Sequence, residues 1–543
     1  MGPQGRGAGV SHVSNARELS GQAVNPTEAA PPFVLAIDLG TSTVRSMLVD
    51  SRARVLPATL SRAPARVRVS ASGASEAHIV ELAESVWSCV DGTLERARAL
   101  SGHGPRGAAA AICGVAVTTF VSSVCGLDRG GRPLTPLFTW ADTRGEEDVA
   151  RLRVSLPWAE VYERTGCPLH TSYLTVRLSW FKRTSPEVFT RIARWVSIGE
   201  YLECKLFGRA RCSYSVASWT GLLDRARLAW DGSLLDALGV TPDQLSPLVD
   251  VDEPIAGLRP PFDKRWPELA SVPWFPAVGD GAAHNLGSGA DDSRHVALAL
   301  GTSGALRVVE PGDPRITPGL WVYKVDRRRS LVGGALSEGG NILAWFMRVL
   351  RLSFEPERGE AEATADSGWE EAVANVAPDS HSLTVLPFIA GERSPGWHSG
   401  ARATISGLSL ATTPEEIVRA GLEAVAYRFA EIYARLPAAG ENNRTIIASG
   451  GASRIAVWLQ ILADVLGRPV VQSSEPEPSA RGAALLALRA MGMLGDAPDP
   501  PAALGRIFTP DDARHARYLE GLARHRALYA RLLADDPQQG RPD

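Results

Sequence analysis

Two segments about half a chain apart spell nearly the same thing: LAIDLGTST at 35–43 and LALGTSGAL at 298–306. Each reads as an apolar strand, a Gly-Thr-Ser turn and a second apolar stretch. At 543 residues the chain is too long for one hydrophobic core. A hairpin repeated at this distance therefore predicts two domains built alike, each offering a hydroxyl-rich turn to a shared cleft. Such a turn exposes backbone N–H groups and adds Oγ donors, a concavity suited to phosphate oxygens. Gly40 permits close approach because it has no Cβ. Asp38 cannot bind phosphate directly, since like charges repel; it makes sense with a Mg²⁺, held through water, between it and the phosphates. The alternative is a hairpin in which Asp38 and Gly40 serve turn geometry alone, and the second copy at Gly301, Thr302, Ser303 and Gly304 argues against it.

Strand-like and helical runs alternate through most of the chain, the pattern of an α/β protein. Ile112–Val117 and Val121–Leu127 are strand candidates. Glu76–Leu100 reads as helix, with Ile79, Leu82, Val86, Val90 and Leu94 at helical spacing. A second helix is signposted by Thr413 as cap, Pro414 at the first position and Glu416 closing a capping box. Asp512 to Leu533 is a third amphipathic helix.

Composition narrows the class. The net charge is -3 with acids and bases mixed, which gives no electrostatic reason to expect nucleic acid or a membrane surface as partner. The six cysteines lack any C-x-x-C pair and all fall in the first half, as expected of reduced thiols in a cytoplasm. Residues 1–31, rich in Gly, Pro, Ser and Ala, read as a disordered leader. The uncharged run Gly107–Leu127 has the length of a membrane span, but its glycines and hydroxyl residues fit buried strands better.

Asp280, in FPAVGDGAAHNLGSGA (275–290), is the candidate general base. An apolar strand ends at Val278, Gly279 and Gly281 flank the carboxylate and leave room for substrate, and a small-residue helix follows. The alternative is that Asp280 caps that helix; capping and proton acceptance are compatible, because a helix N-terminus keeps a carboxylate ionised. SGG (449–451) reads as a strand-to-helix turn. SEGGN (337–341) reads as a loop between the second hairpin and a helix, without an assigned role.

These segments resemble the FGGY carbohydrate kinases, sugar and polyol kinases of the actin-like ATPase superfamily, over roughly Phe33 to Leu494. IDLGTSTVRSMLVD (37–50) and LGTSGALRVV (300–309) are similar to the two phosphate hairpins. SGGASRIAVWLQILADVLGRPV (449–470) is similar to the adenosine segment. RATISGLSL (402–410) and YLTVRLSWFKR (173–183) resemble the C- and N-terminal signatures, with Arg177 where lysine is usual. The resemblance implies two actin-like (ribonuclease H-like) domains around a central cleft: 32–287 for sugar and the first hairpin, 288–498 for nucleotide, and a helix and tail over 499–543. It implies ATP and Mg²⁺, with Gly40, Thr41, Ser42, Thr43, Gly301, Thr302, Ser303, Gly450, Gly451 and Ala452 at ATP, Asp38 at the metal and Asp280 as base. A homodimer is compatible with it.

FTWADTRGEE (138–147), GERSPGWHSGARATISGLSL (391–410) and TGCPLHTSYLTVRLSWFK (165–182) look most like the gluconate kinases of that family. Trp140, Asp142 and Arg144 are thereby candidates beside the sugar: an indole for C–H faces, a carboxylate for hydroxyls, a guanidinium for a carboxylate. Core packing of Trp140 and a structural Asp142–Arg144 ion pair are the alternatives. Where related kinases carry Met-His, TTFVSSV (118–124) puts Val121 and Ser122, and Ser122 joins the substrate-binding candidates. The expected reaction is ATP-dependent phosphorylation of gluconate to 6-phosphogluconate. The alternatives are xylulose or another pentulose or polyol as acceptor, or a non-catalytic sugar- and ATP-binding regulator. A chaperone ATPase would need a peptide-binding domain beyond the few tens of residues after Pro498. A dinucleotide dehydrogenase would need a G-x-G-x-x-G after the first strand.

Overall fold

The computed structural model describes residues 28–100, 107–350, 368–437, 444–495 and 498–533. It is built on two sheets whose inner five strands follow one plan. In the first, β1 (Phe33–Leu39) and β2 (Thr43–Val49) form the first hairpin. The antiparallel β3 (Val55–Pro64) continues on one side, and the parallel β4 (Ile112–Thr119) and β5 (Val278–Gly279) on the other. In the second, β6 (His295–Leu300) and β7 (Gly304–Pro311) form the second hairpin. Beyond β7 lie β9 (Arg329–Leu336) and its partner β8 (Trp321–Lys324), both antiparallel; beyond β6 lie the parallel β10 (Thr445–Ser449) and β11 (Val470–Ser473), then the edge strand β12 (Leu504–Phe508). The repeated hairpin is thus the outward sign of a repeated lobe.

Each sheet is covered by helices whose apolar spacing was legible. Helix α1 (Ile79–Ala99) buries Leu82, Val86, Val90 and Leu94 against the first sheet, each contributing about 1.5–3 kcal/mol. It starts three residues later than the periodicity predicts, because Ser75–Ala77 pair as a short strand. Two helices sit between the lobes: α2 (Asp280–Gly287), which leaves β5, and α5 (Pro478–Ala490). Helix α3 (Pro414–Tyr433) has the expected capping box and backs the second hairpin, with α4 (Ala456–Leu466) beside it. Helix α6 (Asp512–Leu533) closes the described chain.

Helices α2 and α5 lock the lobes together. A Cβ on Gly287 would lie 1.7 Å from the Pro478 carbonyl oxygen, and one on Gly482 would lie 1.8 Å from that of Ala283, so only glycine allows this approach. Ala480, Ala483, Ala484, Leu485 and Leu488 of α5 bury Val34, Ala36, Met47 and Val49 of the first hairpin. Arg481 spans the junction, donating to the carbonyls of Ala53 (3.0 Å) and Gly287 (2.8 Å).

Two expectations change. Of Val121–Leu127 only Cys125–Leu127 is strand. Val121–Val124 forms a turn in which Ser122 takes a left-handed φ of 54°, a conformation held by side-chain hydrogen bonds described below. The leader reading lies outside the described residues up to residue 27, while the amide of Ala30 donates to Asp50 (3.2 Å). All six cysteines are unpaired. Among the described residues no helix is long and apolar enough to cross a membrane.

Candidate active site

The carboxylates of interest lie at the C-terminal ends of parallel strands, where open α/β sheets place ligands. Asp38 on β1 is in register with Thr118 on β4, and Thr119 with Gly279 on β5, just before Asp280. At about 4.8 Å per strand, the two aspartates stand about 10 Å apart across the sheet. Asp38 is buried, with Arg45 Nη1 3.6 Å away. Burial pushes its carboxyl up to about 7, with Arg45 opposing and the charges of Asp280 and Glu477 adding to the rise. Between them, the Thr118 hydroxyl is buried and has no hydrogen-bond partner. A buried acid held near neutrality beside an orphaned hydroxyl is a donor set that a hydrated Mg²⁺ fits.

Asp280 opens α2 rather than capping it: the cap residue is Gly279, and the Asp280 carboxylate accepts the amide of Gly281 at 2.8 Å. Burial raises its pKa, opposed by Arg307 and the Gly281 amide, so the ionised carboxylate is a stronger base than a solvated one. The flanking glycines serve a purpose other than the expected one. A Cβ on Gly279 would sit 2.9 Å from Trp219 Nε1, and one on Gly281 would sit 3.0 Å from Trp219 Cη2; the space they leave belongs to the Trp219 indole. Trp219 in turn stacks on Tyr323 at 3.7 Å, and Tyr323 on Trp321 at 4.4 Å, an aromatic wall shared by both lobes.

The turns expected to face phosphate are tight and partly exposed. Gly40 donates to the Thr43 carbonyl (3.1 Å) and Gly301 to that of Ser303 (3.1 Å); Ser42 and Thr302 are exposed, Thr41 and Ser303 half-buried. SEGGN acquires a role that the sequence left open: Gly340 donates to the Gly301 carbonyl (2.6 Å) and Asn341 to that of Thr302 (3.2 Å), so this loop seats the second turn. Gly450, Gly451 and Ala452 follow β10 against the same turn; a Cβ on Gly450 would lie 2.6 Å from the Leu300 oxygen. His284 of α2 reaches Ser449 at 2.6 Å, linking the helix that begins at Asp280 to this loop.

At the acceptor end, the structure separates residues that the sequence grouped. Asp142 is buried and bound to Arg144 Nη2 at 2.5 Å, and it also accepts the Ser75 amide (3.2 Å). Arg144 further contacts Glu76 and lies over the Trp180 ring at 4.5 Å. The pair is a structural brace. Ser122 donates to the Trp219 carbonyl (2.5 Å) while its own carbonyl accepts from Arg177, which also binds the carbonyls of Thr171 and Ser172. Trp140 is different: its half-buried ring lies 5.2 Å from the guanidinium of Arg393. Arg393 belongs to the GERSPGW segment, which buried Glu392 anchors through Arg428 and through Tyr529 (2.7 Å) of α6. Sequence reasoning missed Trp219, Arg307 and Arg393. Periodicity marks none of them; the signals were the position of Arg307 just past the second turn and that of Arg393 inside the segment resembling the gluconate kinases.

Comparison with known proteins agrees along almost the whole chain. Residues 33–287 match the N-terminal domain of the FGGY family of carbohydrate kinases, and residues 296–491 match its C-terminal domain. The gluconokinase of Bacillus subtilis is 30% identical over 386 residues, covering 70% of this chain and 74% of that protein. The xylulose kinase of Escherichia coli is 27% identical over 505 residues, covering 92% and 99%. The crystal structure of gluconate kinase from Lactobacillus acidophilus superposes with a TM-score of 0.83 at 24% identity, covering 93% and 98%, and shares the fold.

Proposed function

This chain belongs to the FGGY family of carbohydrate kinases, which phosphorylate sugar acceptors with ATP, and we propose that its acceptor is a sugar acid, gluconate foremost, converted to 6-phosphogluconate. The observation that carries the choice of acceptor is the meeting of Trp140 with Arg393. These residues come from the two segments with gluconate-kinase character, and they converge from opposite lobes on one place.

The chemistry follows from the residues. ATP phosphates lie against the backbone donors of Gly40–Thr43 and Gly301–Gly304, with adenosine beside Gly450, Gly451 and Ala452. Asp38 would hold Mg²⁺ through water, supplying charge neutralisation for the phosphates. The acceptor lies on the Trp140 side with its terminal primary hydroxyl at Asp280. Asp280 takes the hydroxyl proton as the oxygen bonds to the γ-phosphorus; the bond to the bridging oxygen breaks and its electron pair leaves with ADP. Closure of the lobes excludes water, which limits idle ATP hydrolysis. Asp280→Ala is expected to lower turnover by about 10²–10⁴-fold while ATP binding persists; near-normal turnover would remove Asp280 from the role of base.

A second reading, a pentulose kinase, is favoured by the longer match to xylulose kinase. ADP release measured with gluconate, xylulose, ribulose and glycerol separates the two. The highest kcat/KM with gluconate is expected. A ketose preference puts the second reading first, and no stimulation by any acceptor leaves a sugar- and ATP-binding regulator.

A further inference from the structure

We propose that Arg307 and Arg393 together form a carboxylate-reading floor to the acceptor pocket, so that the enzyme selects an aldonic acid over the neutral polyol of the same length. The inference rests on the sugar-acid reading above and names the groups that enforce it.

Both Nε atoms are buried without a hydrogen-bond partner, and neither guanidinium has an ion pair among the described residues. Other arginines nearby are spent: Arg144 on Asp142 and Glu76, Arg177 on three backbone carbonyls, Arg428 on Glu392. Leaving such a donor unmade carries a desolvation cost that a ligand can relieve. Burial pulls both arginines below the usual guanidinium range, and the charge of Arg393 pulls Arg307 down further. Two carboxyl groups sit within electrostatic reach. Asp280, near Arg307, is committed to the acceptor hydroxyl. Glu338, near Arg393, is held up to about 7 by burial and so neutralises only part of the charge. The floor therefore has cationic charge to spare.

The placement of the two side chains suits a linear acid. Arg307 lies three residues beyond Gly304 on β7, about 10 Å along the strand. The Arg307 side chain comes back beside Asp280, its Nε 3.4 Å from where a Cβ on Gly281 would lie, while Arg393 meets Trp140, so the two guanidiniums flank a linear acid lying between Asp280 and Trp140. The fold itself does not ask for a cation at Arg307. In register, Arg307 pairs with Ala297 as Met47 pairs with Ala36 in the first hairpin, and Met47 is buried core.

The test is calorimetric binding of gluconate and of glucitol, its neutral counterpart, to the full-length protein and to Arg307→Gln, Arg393→Gln and Arg307→Lys. The wild type is expected to favour gluconate strongly. Each glutamine variant should cut the gluconate-to-glucitol affinity ratio roughly tenfold or more, the scale of a charge-assisted hydrogen bond, with partial recovery in Arg307→Lys. A ratio unchanged in both glutamine variants overturns the inference, as does a wild type that binds glucitol as tightly as gluconate. Melting temperature provides the structural control: two unpaired, mutually repelling cations predict no loss on substitution, and a fall of several degrees marks a structural arginine and overturns the assignment. The gluconate reading fails separately. If ADP release is fastest with another sugar acid while the arginine dependence holds, gluconate is the wrong acceptor and the carboxylate floor stands.

Discussion

The two hairpins share a sequence and a topology but not a charge. The first turn runs from Gly40 to Thr43 between the paired Leu39 and Val44; the second, Gly301 to Ser303, is one residue shorter, between Leu300 and Gly304. Asp38 precedes the first turn, where the second hairpin has Ala299. Arg307 stands in the second, where the first has Met47. One scaffold has been used twice, with an acid at the cleft in one copy and a base in the other. Duplicated backbone supplies the same turn twice, while the side chains that differ separate the metal and acceptor roles proposed for them.

The comparison can be broken first at Met47. Met47→Arg places an unpaired charge under α5, and chemical denaturation is expected to show a loss of about 3–5 kcal/mol. Tolerance within the error of the midpoint would mean that position is not core, and the contrast with Arg307 would lapse. Asp38→Asn tests the acid: at limiting Mg²⁺, kcat/KM for ATP should fall on the order of 100-fold, whereas Ala299→Ser, at the matching place, should leave it unchanged. Next comes the backing of the second turn. A Cβ on Gly304 would meet the Phe429 ring at 2.6 Å and the Glu338 carbonyl at 2.9 Å, so Gly304→Val should cost about 1–3 kcal/mol through overpacking.

The smallest effect is a pH dependence beside that turn. Buried Glu338 has its pKa raised from 4.5 to about 7. Below the lower value both folded and unfolded forms are protonated and nothing is gained or lost. Between the two the folded state holds the extra proton, so stability falls as pH rises, and above about 7 the folded protein carries a buried charge. Glu338→Gln should flatten that decline and leave the ligand-free protein more stable than wild type at pH 8, read from melting curves across pH. Equal slopes for variant and wild type would show that Glu338 does not titrate there.

Features set by neighbours in sequence were legible from it. The two turns, the Thr413 capping box and the periodicity of α1 and α6 depend on contacts within a few residues, and all are where the pattern puts them except the first turn of α1, which Ser75–Ala77 take as strand. The duplicated lobe was legible because its hairpin repeats. Charge at the acceptor end was not. Asp142 and Arg144 are sugar-side candidates through the family resemblance, with an ion pair as the alternative, and Ser75 and Glu76 complete their partners from far along the chain. The room beside Gly279 and Gly281 belongs to Trp219, some sixty residues earlier.

The sequence by itself therefore determined the two lobes, their glycine-and-hydroxyl turns and the carboxylate at the end of β5, since strand pattern and turn chemistry are local and survive any packing. Which guanidiniums are neutralised and which stay unpaired was decided only by the tertiary structure. An ion pair depends on distances between groups the chain brings together across lobes, and no spacing in the sequence encodes them.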